Sequence, residues 1–365
     1  MADQLTITGD NLAVAANGQQ IWPTTTTPPP NPEPAPTPGG TMKINNEADL
    51  RQAFAAAASG SRVVVDPSSP TVTVTSTIEV PVTNENFYFD GSGLQIATQI
   101  PNFGHLLEFT NGKPGFRLKN LYVIGSYPNR ECGDALRFVN AHEGNENAFY
   151  NFSITGIRIE HVSGNGIYME GGFEGSLDVI EVNDIAKSGV VIGCGPTGGS
   201  VVCQLTISNA QMSRCDGWGA EQIQGADQVT WISPKFVNNG MGGLHCTDGL
   251  HFVLNPQGEN TGETLIVVDS QNWSGAEVVS LQVASNGSWV RNWVNPHTGP
   301  TRYGIKCPPG AVTHTGVFKG RGYGGPVELW APGSAPSKTA YEAPDAQYAA
   351  TKPGAEQPAS PTEGG

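Results

Sequence analysis

The sequence predicts an all-β chain folded as a single-stranded parallel β-helix, a solenoid of short stacked strands, with one short N-terminal capping helix. Three observations carry this prediction. Gly and Pro are too abundant for a helical fold, apolar positions recur at a 23-residue step, and one amphipathic helical pattern stands just ahead of the first strand-like runs. The 365 residues include 47 Gly and 28 Pro, and only 14% are charged. Interior Gly and Pro weaken or break helices, so an all-α chain is excluded. No run of 18 apolar residues exists, and no membrane span is expected. With 33 acidic against 19 basic residues the formal net charge is -14. Nucleic acid is therefore not an expected partner, because neutralising phosphates needs a Lys/Arg surplus.

The first 22 residues are too few for an independent core. They open on a polar stretch with no secretory signal pattern, alternate apolar residues at Leu5 and Ile7, and end on Ile21-Trp22. Residues 23–41 follow as a Pro-rich linker. At about 3.1 Å per residue such a segment holds its ends roughly 50 Å apart. A short apolar peg on a stiff spacer suits docking onto another chain, although an unstructured tail has the same composition. At the other end, residues 331–365 are rich in Ala, Pro, Gly, Ser, Thr and Glu, too poor in apolar area to fold alone.

The body, 42–330, begins with the helical pattern. Asn46 is an N-cap candidate, Asp49 falls in the first turn, Leu50, Ala53, Phe54 and Ala57 share one face, and Gly60 stops the helix. Short β-branched runs follow, such as Arg62-Val63-Val64-Val65 and Thr77-Ile78-Glu79-Val80, separated by Gly, Asn, Asp and Pro. The repeat lies further on. Ile157, Ile159, Val162, Ile167 and Met169 land, 23 residues later, on Ile180, Val182, Ile185, Val190 and Ile192 without a gap. Leu205 and Ile207 continue the series after 25 residues, and Val229 and Trp231 after another 24. The Gly-plus-apolar step recurs at Gly217-Trp218 and Gly243-Leu244. One coil of this length cannot bury its apolar face alone, whereas stacked coils share a continuous core. The helix would cover the open edge of the first coil.

The helix, the coil Asn86-Phe87-Tyr88-Phe89-Asp90-Gly91-Ser92-Gly93, the strand Leu118-Lys119-Asn120-Leu121-Tyr122-Val123 and the Asn-Gly-Ile turn together resemble the pectin lyase-like superfamily of right-handed parallel β-helices, over roughly residues 42–300. That resemblance implies a polysaccharide-handling protein. The superfamily holds pectate lyases, polygalacturonases, alginate epimerases and bacteriophage tailspikes, and most members bind or cut polysaccharides on the long face. No member's activity transfers by motif. There is no Asp-Asp pair. Gly304-Ile305-Lys306 only partly matches the hydrolases' Arg-Ile-Lys, and Asn295-Pro296-His297-Thr298 lacks both carboxylates of the epimerases' Asp-Pro-His-Glu. No string of acidic ligands marks a calcium-dependent lyase.

Candidate site residues come from stacking. Arg158 is expected near Glu181, Glu160 near Asn183 and Ser208, and His161 near Asp184 and Asn209. A second group comprises Arg214, Asp216, Trp218, Glu221, Lys235, His245, Asp248 and His251. The group falls in irregular coils: the 28-residue step from Gly189 to Gly217 predicts that the chain lengthens between those turns. Asp216, Glu221 and His245 are the catalytic candidates. The two carboxylates could form the acid and base, or nucleophile, of a glycoside hydrolase. Alternatively His245 or Lys235 removes a sugar proton while Arg214 holds a uronate carboxylate. Arg214, Trp218, Lys235, Asp248, His161 and Asp184 are the substrate-binding candidates. The plain alternative is that all of these are polar turn residues and solvated surface pairs. Trp231 falls at an inward position, while exposed Trp would stack on sugar rings. No metal or cofactor is expected, since no CxxC or HExxH occurs. Cys194 and Cys203 flank a Gly-rich turn, where either a disulfide or two buried thiols would fit.

The expected function is that of a bacteriophage tailspike-like virion protein. It would bind, and in one version depolymerise, a host surface polysaccharide as a homotrimer. Its N-terminal segment would be fixed to other virion proteins. The alternatives are a secreted bacterial polysaccharide lyase, glycoside hydrolase or epimerase, and a non-catalytic structural or adhesive solenoid.

Overall fold

The computed structural model describes Ala15–Ala16, Gln19–Gln20 and residues 41–334, apart from 102–103, 127, 131, 140–147, 194–200, 270–279, 285–287, 293–297, 309–310, 316–317 and 323–326. Met1–Gly40 forms one unit and Thr41–Gly365 another. In the first, Ala15–Ala16 pairs antiparallel with Gln19–Gln20. Leu5, Ile7, Ile21, Trp22 and the Pro-rich linker lie outside the described residues, as does the tail from 335.

The second unit is a right-handed parallel β-helix. Its strands fall into a sixteen-stranded sheet and a ten-stranded sheet. The 23-residue register holds residue for residue. Ile157 pairs with Ile180, Ile159 with Val182 and Val162 with Ile185 on the first sheet, and Ile167 with Val190 and Met169 with Ile192 on the second. All ten side chains are buried. The next coil corrects the sequence reading. Val190 pairs with Ala220 and Val182 with Met212, a step of 30 rather than 25 or 28. Leu205 and Ile207 stack on Gly175 and Leu177 instead. The expected lengthening falls between Gly193 and Val202. From there Val229 follows Leu205 and Trp231 follows Ile207, as expected. Gly243-Leu244 aligns with Gly219-Ala220 rather than with Gly217-Trp218.

The slip of five has a physical origin. In successive coils a left-handed residue recurs every five positions: Asn151, Gly156 and His161, then Glu174, Val179 and Asp184, then Gln204, Asn209 and Arg214, then Gln228, Ser233 and Asn238. Each such residue turns the chain, and the apolar residues between turns repeat with the same spacing, so a five-residue shift still places apolar on apolar. Short polar side chains tolerate this backbone region, and Asn151, Asp184, Asn209, Ser233 and Asn238 carry them. Val179, at φ 52°, is the outlier, at a cost on the order of 1–3 kcal/mol.

The helix Glu47–Ala58 closes the N-terminal end. Asn46 accepts from the Asp49 backbone N–H at 3.0 Å, and Leu50, Ala53, Phe54, Ala57 and Ala58 are buried. Arg51 and Glu47 fasten its outer side to Thr77 O and to the Thr75 N–H of the first coil. Phe54 stacks on Phe89 (4.2 Å), starting an aromatic core that includes Phe87 on Phe116 and Phe109 on Phe138. Trp231 is inward and fully buried, as expected. At the turn into the ten-stranded sheet, a Cβ on Gly166 would stand 2.6 Å from Gly189 O, and one on Gly189 2.6 Å from Gly219 O. The repeated Gly there is required by this close approach of one coil's backbone to the next.

Candidate functional site

Outward residues at one register position of the ten-stranded sheet form a column along the long side of the solenoid. In order they are Glu79, Glu108, Arg137, Tyr168, Val191, Glu221, His245, Val267 and Lys306. Neighbouring coils are about 4.8 Å apart, so side chains on three successive coils can meet one extended ligand.

The densest chemistry lies at Glu221 and His245. The strand Trp218–Gln222 carries Glu221, the strand Gly242–Cys246 carries His245, and Asp269 follows the strand Thr264–Val268. The His245 ring lies between two carboxylates, with Nε2 at 3.1 Å from Asp269 Oδ2 and Nδ1 at 3.9 Å from Glu221 Oε2. The latter gap exceeds hydrogen-bond length, and Nδ1 is buried without a hydrogen bond. Trp218 stacks on the imidazole at 4.7 Å and 18°. Ser188 Oγ donates to Glu221 Oε1 and accepts from the Trp218 N–H at 3.1 Å. Burial opposes the charge of His245, but the flanking carboxylates outweigh it and raise its pKa. Burial likewise opposes ionisation of Glu221, yet the His245 ring and the Ser188 hydroxyl hold its pKa below the usual carboxylate range. The arrangement favours a carboxylate beside an imidazolium. Asp269 also lines, with Lys306, Cys307 and Pro308, an open cavity of about 340 Å³. This gives the cluster a concave neighbour.

Asp216 belongs to a different arrangement. Arg130 donates to Asp216, with a second contact at 3.3 Å, and to Asp184 Oδ1 at 2.7 Å. His161 Nδ1 meets Asp184 Oδ2 at 2.5 Å, so that expected pair forms. Burial acts to raise the Asp184 pKa, but the His161 and Arg130 contacts prevail and lower it. No hydrogen bond joins Asp216 to Glu221 among the described residues, and their partners differ.

The remaining candidates do not join the Glu221–His245 cluster. Arg214 Nε donates to Asn183 Oδ1 at 3.0 Å, and Lys235 pairs with Glu259 at 3.3 Å on the sixteen-stranded sheet. Asp248 accepts from the Gly225 and Gly249 N–H groups, as a turn residue does, and His251 is buried against the Asp248 carbonyl. Glu160 stacks on Asn183 as expected but is followed by Ser213, not Ser208. Asp184 is followed by Arg214, not Asn209; Ser208 and Asn209 both donate to Asp178. Arg158 reaches Glu181 at 3.8 Å but bonds more closely to Glu160, at 2.6 and 3.0 Å, and Glu160 also accepts from Tyr122 at 2.7 Å. Cys203 is a free thiol, and Cys194 lies outside the described residues. So does Asn295-Pro296-His297. Arg130, Ser188 and Asp269 escaped the sequence reading of the site. Ser188 stands directly before the repeated Gly189 and Asp269 directly after the β-branched run Ile266-Val267-Val268, whereas nothing local marks Arg130.

Among the described residues, no helix is long and apolar enough to cross a membrane. No family model matches the chain, and no curated protein does. Solved structures match in fold. The enzymatically active domain of tailspike protein 2 of bacteriophage CBA120 superposes with a TM-score of 0.51 at 11% identity, over 81% of this chain and 46% of that one. Full-length tailspike protein 2 from an Escherichia coli bacteriophage gives 0.51 at 12% identity, over 78% of this chain and 37% of the other. The chain thus spans less than half the length of these tailspikes. What it shares with them is the fold, a parallel β-helix.

Proposed function

We propose that this chain is a tailspike-like virion protein that binds a host surface polysaccharide along its ten-stranded sheet. The observation carrying this is the concentration of Trp218, Glu221, His245 and Asp269 on three successive coils of the long side, next to an open cavity. Extended glycans suit extended faces, and a partly exposed aromatic ring with charged and hydroxyl neighbours supplies stacking and hydrogen bonding. The fold likeness to tailspike protein 2 supports the same reading. In it, the protein works as a homotrimer on the phage tail, with residues 1–22 attached to other virion proteins.

The Glu221–His245–Asp269 arrangement favours cleavage as a second activity. A protonated His245 is an acid suited to a departing glycosidic oxygen, and Glu221 is a carboxylate suited to activating water. His245 as a base is disfavoured by the same flanking carboxylates, and Lys235 is paired elsewhere.

The test is an array of bacterial O-chain and capsular polysaccharides, read by retention of the protein and by polymer chain length. Binding to at least one polymer, weakened tenfold or more by Trp218→Ala, is expected. Retention on none, or retention indifferent to Trp218→Ala and His245→Ala, would refute the proposal.

A further inference from the structure

The charge pattern of the ten-stranded sheet bears on which glycan it takes, an inference that rests on the polysaccharide reading above. The outward column and its flanks carry Glu79, Glu108, Asp134, Glu170, Glu221 and Asp269 against Arg137, His245 and Lys306, with Lys187 near His105. The cationic side chains at its centre already face the protein's own carboxylates. Arg137 stands 3.6 Å from Glu108 and 3.5 Å from Asp134, with its guanidinium over the Tyr168 ring. His245 is flanked by Glu221 and Asp269. A polymer with a carboxylate on its sugars, laid along this column, would set like charge against like at several coils. The chain's net charge of -14 adds long-range repulsion. Uncharged sugars meet no such penalty. Their hydroxyls both donate to carboxylates and accept from cations, and their apolar faces stack on rings such as Tyr168 and Trp218.

We infer that the ligand is a polysaccharide free of uronic and other acidic sugars, built from neutral, deoxy or acetamido residues. Its cleavage is then hydrolysis rather than elimination. Elimination draws on a ring proton made acidic by an adjacent carboxyl group, which such a sugar lacks. In the hydrolytic step the bond from the anomeric carbon to the glycosidic oxygen breaks, and that oxygen takes a proton from His245. Water supplies a hydroxyl to the anomeric carbon and a proton to Glu221. Proton return from Glu221 to His245 restores both groups.

The experiment sorts the polysaccharide array by acidic-sugar content and repeats the binding across salt concentrations. Retention confined to polymers without acidic sugars is expected, with affinity changing less than about twofold between low and high salt, since a neutral ligand leaves no ion pair to screen. Products are expected to show new reducing ends and no unsaturated-uronate absorbance. Retention on a uronate polymer, or salt weakening of tenfold or more, would overturn the inference while leaving polysaccharide binding intact. Retention on no polymer would remove both.

Discussion

The two sheets carry similar residue types on their outer faces and use them differently. On the sixteen-stranded sheet Tyr122, Arg158 and Glu160 satisfy one another. The tyrosine hydroxyl and two guanidinium nitrogens converge on one carboxylate within 3.0 Å, and the Arg158 guanidinium lies over the Tyr122 ring. On the ten-stranded sheet the matching groups stop short. Arg137 Nε and His245 Nδ1 are buried without hydrogen bonds and stand 3.6 and 3.9 Å from Glu108 and Glu221, while Arg137 Nη1 meets His105 Nε2 at 3.0 Å and His245 Nε2 meets Asp269 at 3.1 Å. Folded proteins pair nearly all their buried polar groups, so incomplete pairing marks a place shaped by something besides stability. The first face is a closed network that fastens coil to coil. The second is left unfinished, and it also carries the stacked Trp218 and the cavity beside Asp269.

If that contrast is right, substitutions on the two faces should separate stability from binding. The largest effect is expected on the ten-stranded face: His245→Ala and Glu221→Gln should each reduce polysaccharide cleavage by about 10²–10⁴-fold, the usual contribution of general acid–base groups. Unfolding midpoints should move less than they do in Glu160→Ala. Cleavage kinetics alongside denaturant unfolding check this, and wild-type cleavage by either variant would remove that residue from the mechanism. On the sixteen-stranded face, Glu160→Ala strands the Tyr122 hydroxyl and the Arg158 guanidinium. It should cost about 1–3 kcal/mol in unfolding free energy with polysaccharide affinity unchanged. Loss of affinity without loss of stability would reverse the assignment of the two faces.

A subtler effect is pH dependence. The raised His245 pKa means that its contribution to stability is full below the imidazole's unfolded value of about 6.5 and is lost as pH rises through its folded pKa. The lowered Glu221 pKa means the opposite. Its contribution is full above the unfolded carboxyl value of about 4.3 and is lost as pH falls through its folded pKa. The stability difference between the wild type and His245→Gln should therefore be greatest between these two values and shrink toward pH 9. A difference independent of pH would show that the histidine is not held charged. The smallest effect is expected at Arg214, an exposed side chain bonded to Asn183. Arg214→Ala should change stability and binding by no more than about 0.5 kcal/mol, as read in the same two assays.

The sequence made the solenoid legible where coils repeat without insertion. The step from Ile157 to Ile180 and from Ile167 to Val190 is intact in the structure, and so are the Asn46 cap and the buried helix face. It misled at Leu205 and Ile207, because apolar residues recur every five positions and a lengthened coil intervenes before Val202. The same slip placed Ser208 and Asn209 beside Glu160 and His161. The proximity of Trp218, Glu221 and His245 was legible, since they lie on adjacent coils near the Gly turn. The Arg130 contacts were not, because 86 residues separate it from Asp216 and only folding brings the two together.

The claim that the ten-stranded sheet is the binding face is tested most directly by a crystal structure with an oligosaccharide taken from whichever polymer the protein retains. Sugar rings are expected to run along the column through Tyr168, Glu221 and His245, with Trp218 in contact. Sugars seated on the sixteen-stranded sheet, over Arg158 and Glu160, would contradict it.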